Sequence, residues 1–360
     1  MNKNLSDKNV EPTIQSVTGK KKVALALSSG GPRGFAYIGA IEELLARGYE
    51  ITSVAGSSAG SLVGGIFAAG GLEAFKEWLC KLDPMQVVTL MDFSFSKNYL
   101  VKGDRVINAI KKRVPEVNIE DLPIPFTAIA TDLHTGEEVV FREGPLFQAI
   151  RASISIPSMF RPVRWKGRTL IDGGMVNTMP LNRVARTEGD ILVGFNVNRI
   201  DAEQIRQFLK NRRTLAENEK TQLVEARTFL KDALPSDTRE LLAMVRQGDL
   251  LETVRQGGQL IKERLEIQRQ EKQLLAQGKE QHIPMSADDN YASILQRSFG
   301  IMNHTIARLG IELCPPDILV ELPFDSYHGV YGYSHAEEII AVGRRLMSEA
   351  LDRYEAGLTR

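Results

Sequence analysis

An α/β fold, with a mainly parallel central sheet and a helical insertion, is the class this 360-residue chain predicts. Three observations carry that expectation. Short apolar runs alternate with helix-period segments in the fifty residues after Lys22, as in parallel sheets crossed by helices. Both strand-to-helix turns in that stretch are glycine-rich. A charged, glutamine-rich segment then interrupts the pattern between Asp201 and Pro284, holding eleven of the fifteen glutamines.

The elements follow in order. "KVALALS" has the length and apolarity of a buried strand and ends in Ser29-Gly30-Gly31. "FAYIGAIEELLARG" places Ile38, Ile41, Leu44 and Leu45 at helical spacing, with Gly48 as its stop. "YEITSVAG" is a second strand, and a second helix begins at Ser58. "LEAFKEWLCKL" and "GDRVINAIKKRV" are amphipathic helices, and "PFTAIATDL" and "EEVVFR" are strands around the His134-Thr135-Gly136 turn. "RTLIDGG" and "DILVGFNVN" are further strands. Beyond the insertion come a helix around Ile294 to Leu309, the strand "PDILVEL", and a closing helix with Ser334 as N-cap.

The domain reading is a polar tail over 1–21, a core over 22–200, the helical insertion over 201–285, and the rest of the core over 286–360. In the insertion, apolar positions recur at a spacing that would bury a stripe, so it is expected to pack on the core or on a second copy of the chain. That leaves a homo-oligomer open.

Lys plus Arg equals Asp plus Glu at 45 each, which gives no global reason to expect nucleic-acid binding. Mean hydropathy is −0.17, ordinary for a soluble protein. Two cysteines, Cys80 and Cys314, and an N-terminus without an apolar core point to a cytoplasmic location. Lys20, Lys21 and Lys22 are a local cluster that could touch lipid headgroups at the inner membrane face, although a solvated linker is the simpler reading. The uncharged window Ile51 to Leu72 has the length of a membrane span, but only eleven of its twenty-two residues are apolar.

Gly56-Ser57-Ser58-Ala59-Gly60 matches G-x-S-x-G between a strand and a helix. A sharp turn there requires small residues around the serine and pushes Ser58 clear of the sheet edge as a nucleophile. The plainer alternative is that these glycines only permit close helix-to-sheet packing. The first glycine turn, Ser29 to Gly34, offers backbone N–H groups for an oxyanion. It departs from the dinucleotide pattern G-x-G-x-x-G because Ser29 replaces the first glycine. Asp172, before Gly173 and Gly174, is a candidate base in a turn permissive of close approach. His328 and His335 follow in the order Ser…Asp…His, so the residues alone keep a histidine triad open.

"LALSSGGPRGFAYIGAIEEL", "VAGSSAGSLVGG", "TDLHTGEEVVF", "RASISIPSMFRPV" and "LIDGGMVNTMP", taken together, resemble the patatin-like phospholipase family, especially its bacterial members. The resemblance runs from Val23 to about Val197 and resumes from Tyr291 to Leu351. It implies a modified α/β-hydrolase-like sandwich and a Ser-Asp dyad without histidine. Ser58 would be the nucleophile and Asp172 the base, with Gly30 and Gly31 supplying oxyanion amides, and Arg33 and Gly34 completing that loop. It implies a lipid ester substrate and no metal or organic cofactor. Ser29 stands where the family has the first of three glycines, and activity is expected to survive because the oxyanion donors are later amides.

The expectation is therefore a serine acyl hydrolase acting on phospholipids or lysophospholipids, with peripheral membrane contact. Its rivals are a non-lipid carboxylesterase and a regulatory or scaffold protein with a weakly active core. The segment "MDFSFSKNYLVKG" carries Phe93 and Phe95, expected either to line an acyl pocket or to anchor the core.

Overall fold

A computed structural model describes residues 21–92, 99, 101–233, 255–256, 259, 262–263, 266–270, 272–274, 291–324, 327 and 330–358. Phe93, Phe95, Lys20, His282 and His328 lie outside the described residues, as do most of the N-terminal tail and much of the insertion.

The strands are β1 (Lys22–Leu27), β2 (Glu50–Ser57), β3 (Phe126–Asp132), β4 (Glu138–Phe141), β5 (Val163–Trp165), β6 (Arg168–Asp172), β7 (Ile191–Arg199) and β8 (Ile318–Pro323). They form one sheet in the order β5-β6-β3-β2-β1-β7-β8, with β4 also paired to β3. From β3 to β8 the sheet is parallel. Beyond β3 it is antiparallel: short turns join β3 to β4 and β5 to β6, while α6 lies between β4 and β5.

The helices are α1 (Ala36–Ala46), α2 (Ala59–Ala68), α3 (Leu72–Cys80), α4 (Pro84–Leu90), α5 (Asp104–Lys111), α6 (Leu146–Ser153), α7 (Ala202–Ala233), α8 (Tyr291–Leu313) and α9 (Ala336–Glu355). Alternation along β1 divides the core. Val23, Leu25 and Leu27 face the cluster built with α1, α2 and α9, while Ala24 and Ala26 face Met179, Leu181 and Ala307 of α8. Small residues on the second face let the 179–184 segment lie close to the sheet.

Three details differ from the sequence expectation. A 3-10 turn, Gly31–Phe35, separates β1 from α1. Helix α4 has a capping box, with Asp83 Oδ1 accepting from the Gln86 amide at 2.8 Å and Gln86 Oε1 accepting from the Asp83 amide at 3.1 Å. That signal is written in "DPMQ", a cap pattern that apolar spacing does not reveal. His335 caps α9 in place of Ser334, because Val330–Ser334 already forms a 3-10 turn that runs into the helix.

Helices α1 and α9 cross at two glycines. A Cβ on Gly343 would stand 2.6 Å from Ala36 Cα, and one on Gly39 would stand 2.8 Å from the Arg344 amide. Outside this crossing, Arg47 ties α1 to α9 through Asp352 at 2.6 Å. No described helix is long and apolar enough to cross a membrane.

The crossing yields a stability prediction. Gly343→Val must push α9 off α1 and should cost about 1–3 kcal/mol, read as a lower midpoint in thermal unfolding. An unchanged midpoint would refute close backbone packing of the two helices.

Candidate active site

Strand β2 ends at Ser57, and α2 begins two residues later at Ala59. The chain reverses at Ser58, which has φ 51° and ψ −118°. An L-residue in this region is strained and persists only where its surroundings force it. The forcing element is Gly60, where a Cβ would stand 2.8 Å from the carbonyl oxygen of Ser28 and collide with that of Leu27. Ser58 is buried, its N–H donates to Ser153 Oγ at 2.9 Å, and its carbonyl accepts from Ser61 Oγ at 2.6 Å.

Register brings Asp172 to this turn, although it lies 114 residues further along the chain. Ser57 pairs with Ile129 of β3, and the neighbouring Ala130 pairs with Asp172 of antiparallel β6. Ser58 Oγ donates to Asp172 Oδ2 at 2.5 Å, while the Gly174 amide donates to Oδ1 at 2.8 Å. The Asp172 backbone is held on both sides, its N–H by the Ser155 carbonyl at 2.9 Å and its carbonyl by Thr131 Oγ1 at 2.8 Å. Burial raises the carboxyl from its usual 3.8 to about 7, against the downward pull of the Ser58 and Gly174 hydrogen bonds.

The glycine turn after β1 sits beside the elbow. Gly31 is the first residue of its 3-10 turn, so its amide has no acceptor within that turn. Of Gly30, Gly31, Arg33 and Gly34, Gly31 lines the cavity that also contains Ser58 and Ala59. Gly34 packs on the elbow itself, since a Cβ there would stand 2.5 Å from Ala59 Cβ. The Arg33 guanidinium donates to the carbonyls of Val197 at 2.9 Å and Phe324 at 2.8 Å and lies 4.5 Å from the Phe324 ring. Its charge fastens the turn to the ends of β7 and β8.

The cavity at Ser58 has a volume of about 110 Å³. That is many times the ~10–15 Å³ one water requires. Its walls include Phe35, Leu62, Phe75, Leu79, Val106 and Ile110, which offer such water few polar partners. An apolar guest suits it better. Met91, just before the segment carrying Phe93 and Phe95, is also in the wall.

The described histidines lie elsewhere in the hydrogen-bond network. The His134 amide donates to Asp132 Oδ1 at 3.0 Å, His304 Nδ1 meets the Asn198 carbonyl at 3.1 Å, and His335 holds the N-cap position of α9. None of the three is a hydrogen-bond partner of Ser58 or Asp172. Among the described residues, no group of three His, Cys, Asp or Glu side chains could hold a metal ion. The supporting residues Ser153, Ser155 and Arg151 escaped individual notice in the sequence. Arg151 donates to Ser155 Oγ at 2.7 Å and so braces the segment that holds Asp172. Their signal was the alternation of small polar and apolar residues in "RASISIP".

A family model described as patatin-like phospholipase matches residues 25–185. An uncharacterized NTE family protein of Mycobacterium tuberculosis is 34% identical over 344 residues, covering 93% of this chain and 92% of that protein. Patatin-like phospholipase domain-containing protein 7 of Rattus norvegicus is 28% identical over 194 residues, covering 52% of this chain and 14% of the rat protein. The crystal structure of VipD from Legionella pneumophila shows a partial likeness, with 18% identity, a TM-score of 0.34, and coverage of 57% of this chain and 56% of that one.

The raised carboxyl of Asp172 has a stability consequence with a definite sign. Between about pH 4 and pH 7 the folded protein holds a proton that the unfolded chain has released, so stability falls as pH rises through this window. Asp172→Asn does not titrate. Relative to that variant, the wild-type melting temperature should drop from pH 4 to 7 and then level off. Parallel curves for the two proteins would contradict a raised Asp172.

Proposed function

This chain belongs to the patatin-like phospholipase family, and from that premise we propose that it is a serine acyl hydrolase cleaving phospholipid or lysophospholipid esters through Ser58 and Asp172. Family membership supports lipid acyl hydrolase activity in general. The observation that carries the finer reading is the 2.5 Å hydrogen bond from Ser58 to Asp172 at the edge of an apolar cavity.

In this reading Asp172 Oδ2 takes the Ser58 proton as Oγ attacks the ester carbonyl. The resulting oxyanion is met by amides of the Gly30-Gly31 turn and by the N-terminal end of α2. Collapse expels the alcohol, which leaves with the proton from Asp172. The same carboxylate then deprotonates a water that attacks the acyl-enzyme, and Ser58 recovers its proton as the fatty acid departs. The strained turn holds Oγ in line with the carboxylate throughout, so little reorganisation is needed at reaction.

The apolar cavity favours a lipid acyl chain over the small acyl group of a soluble carboxylester. A buried dyad with its hydrogen bond intact favours catalysis over a purely scaffolding role. A cytoplasmic location with peripheral contact at the inner membrane face fits the free cysteines Cys80 and Cys314 and a lipid substrate.

Ser58→Ala and Asp172→Asn should each lower turnover by at least ~10³-fold, and the double variant should be little worse. His335→Ala should keep most activity. A fluorophosphonate probe should label wild type and not Ser58→Ala, and mass spectrometry of a treated lipid extract should show free fatty acid only with wild type. A folded Ser58→Ala protein that still releases fatty acid would sink the assignment. Because the base must be ionised, kcat/KM should rise with pH through about 7 and level off above it.

A further inference from the structure

Resting on the hydrolase reading above, we propose that the Tyr333 hydroxyl is a catalytic hydrogen-bond donor to the oxyanion, acting beside the Gly31 amide. Tyr333 belongs to the 3-10 turn Val330–Ser334, far in sequence from the glycine turn, Ser58 and Asp172. This turn is seated on the oxyanion turn. A Cβ on Gly332 would stand 2.7 Å from Pro32 Cγ, so the two turns meet almost backbone to ring. The contact carries the Tyr333 hydroxyl to 3.8 Å from the position a Gly31 Cβ would take. The ring is braced edge-on against Phe35, with centroids 5.8 Å apart and planes at 71°. Tyr333 lines the same cavity as Gly31, Ser58 and Ala59.

The hydroxyl is also the kind of group that expects a partner. A phenol in an apolar wall ordinarily finds one. Tyr37 meets Ser28, Tyr49 meets Glu355 and Tyr327 meets Glu338, each through its hydroxyl. Tyr333 is different. Among the described residues, no protein group is in hydrogen-bond contact with its hydroxyl. In the hydrolase reading, a substrate entering the cavity would meet this hydroxyl. Burial, opposed by Arg33 and with a smaller contribution from the Asp172 carboxylate, raises the phenol to about 12, so it keeps its proton and stays a donor in the pH range near 7 where Asp172 ionises.

The chemistry needs no proton transfer from Tyr333. As Ser58 Oγ bonds to the carbonyl carbon, the C=O π pair moves onto oxygen, and the phenol hydrogen bond strengthens towards that charge. The same donor serves the second oxyanion, formed when water attacks the acyl-enzyme. Both steps therefore depend on it.

The test uses the full-length protein in four forms: wild type, Ser58→Ala, Tyr333→Phe and Tyr333→Ala. Each is assayed on a soluble p-nitrophenyl ester and on lysophosphatidylcholine micelles, with fluorophosphonate labelling rate and melting temperature measured alongside. Tyr333→Phe keeps the ring, so its melting temperature should stay at the wild-type value. Its kcat should fall about 10²-fold on both substrates with KM nearly unchanged, as for loss of one oxyanion donor. Labelling should slow comparably, because the phosphonyl oxygen enters the same hole. Tyr333→Phe with wild-type kcat and labelling, while Ser58→Ala is inactive, would overturn the proposal and leave the dyad standing, whether or not Tyr333→Ala is impaired. An active, labelled Ser58→Ala would instead overturn the hydrolase reading itself.

Discussion

A serine hydroxyl and a carboxylate 2.5 Å apart, both shielded from water, set the terms for everything around them. A buried carboxyl tends to hold its proton, and here only Ser58 and the Gly174 amide work against that tendency. The balance leaves Asp172 near neutrality, where it can both accept and return a proton. Stronger stabilisation, such as a facing arginine, would make it too weak a base for the proposed role. Arg33, in the neighbouring turn, is engaged with the carbonyls of Val197 and Phe324.

Holding that pair demands backbone contacts closer than side chains permit. Gly60 lies on the end of β1, Gly34 on Ala59, and Gly332 on Pro32. Together these contacts stack three turns, from the ends of β1 and β2 and from the approach to α9. The α1–α9 crossing at Gly39 and Gly343 anchors the last of them to the body of the domain. A chain segment some three hundred residues from β1 thus helps to shape the turn that follows it.

The cavity that would receive the substrate in the proposed reading is built from different material. Helices α3 and α5 contribute Phe75, Leu79, Val106 and Ile110, none of which carries a reactive group. They make a compartment in which water is poorly held and a hydrocarbon chain is at home. Ser58, Gly31 and Tyr333 add polar groups to this wall, an arrangement suited to an amphiphile whose ester lies at its polar boundary.

Much of this architecture was legible in the residues. Buried strands announce themselves as apolar runs, and β1, β2, β3, β7 and β8 were readable for that reason. The elbow was readable too, because a strained strand-to-helix turn leaves a local requirement for small residues on both sides of Ser58. Short elements were not: α6 and β5 span eight and three residues, too few for a period to show. Local chemistry could nominate Asp172 but could not choose between it and the histidines as partner to Ser58. In the structure Asp172 is brought to Ser58 by the register of β2, β3 and β6, in which Ser57, Ile129, Ala130 and Asp172 fall side by side. Register is a property of pairing between distant strands, so no window of sequence contains it. The approach of Tyr333 to Gly31 is likewise a product of packing between turns at opposite ends of the chain, and only the assembled fold brings them together.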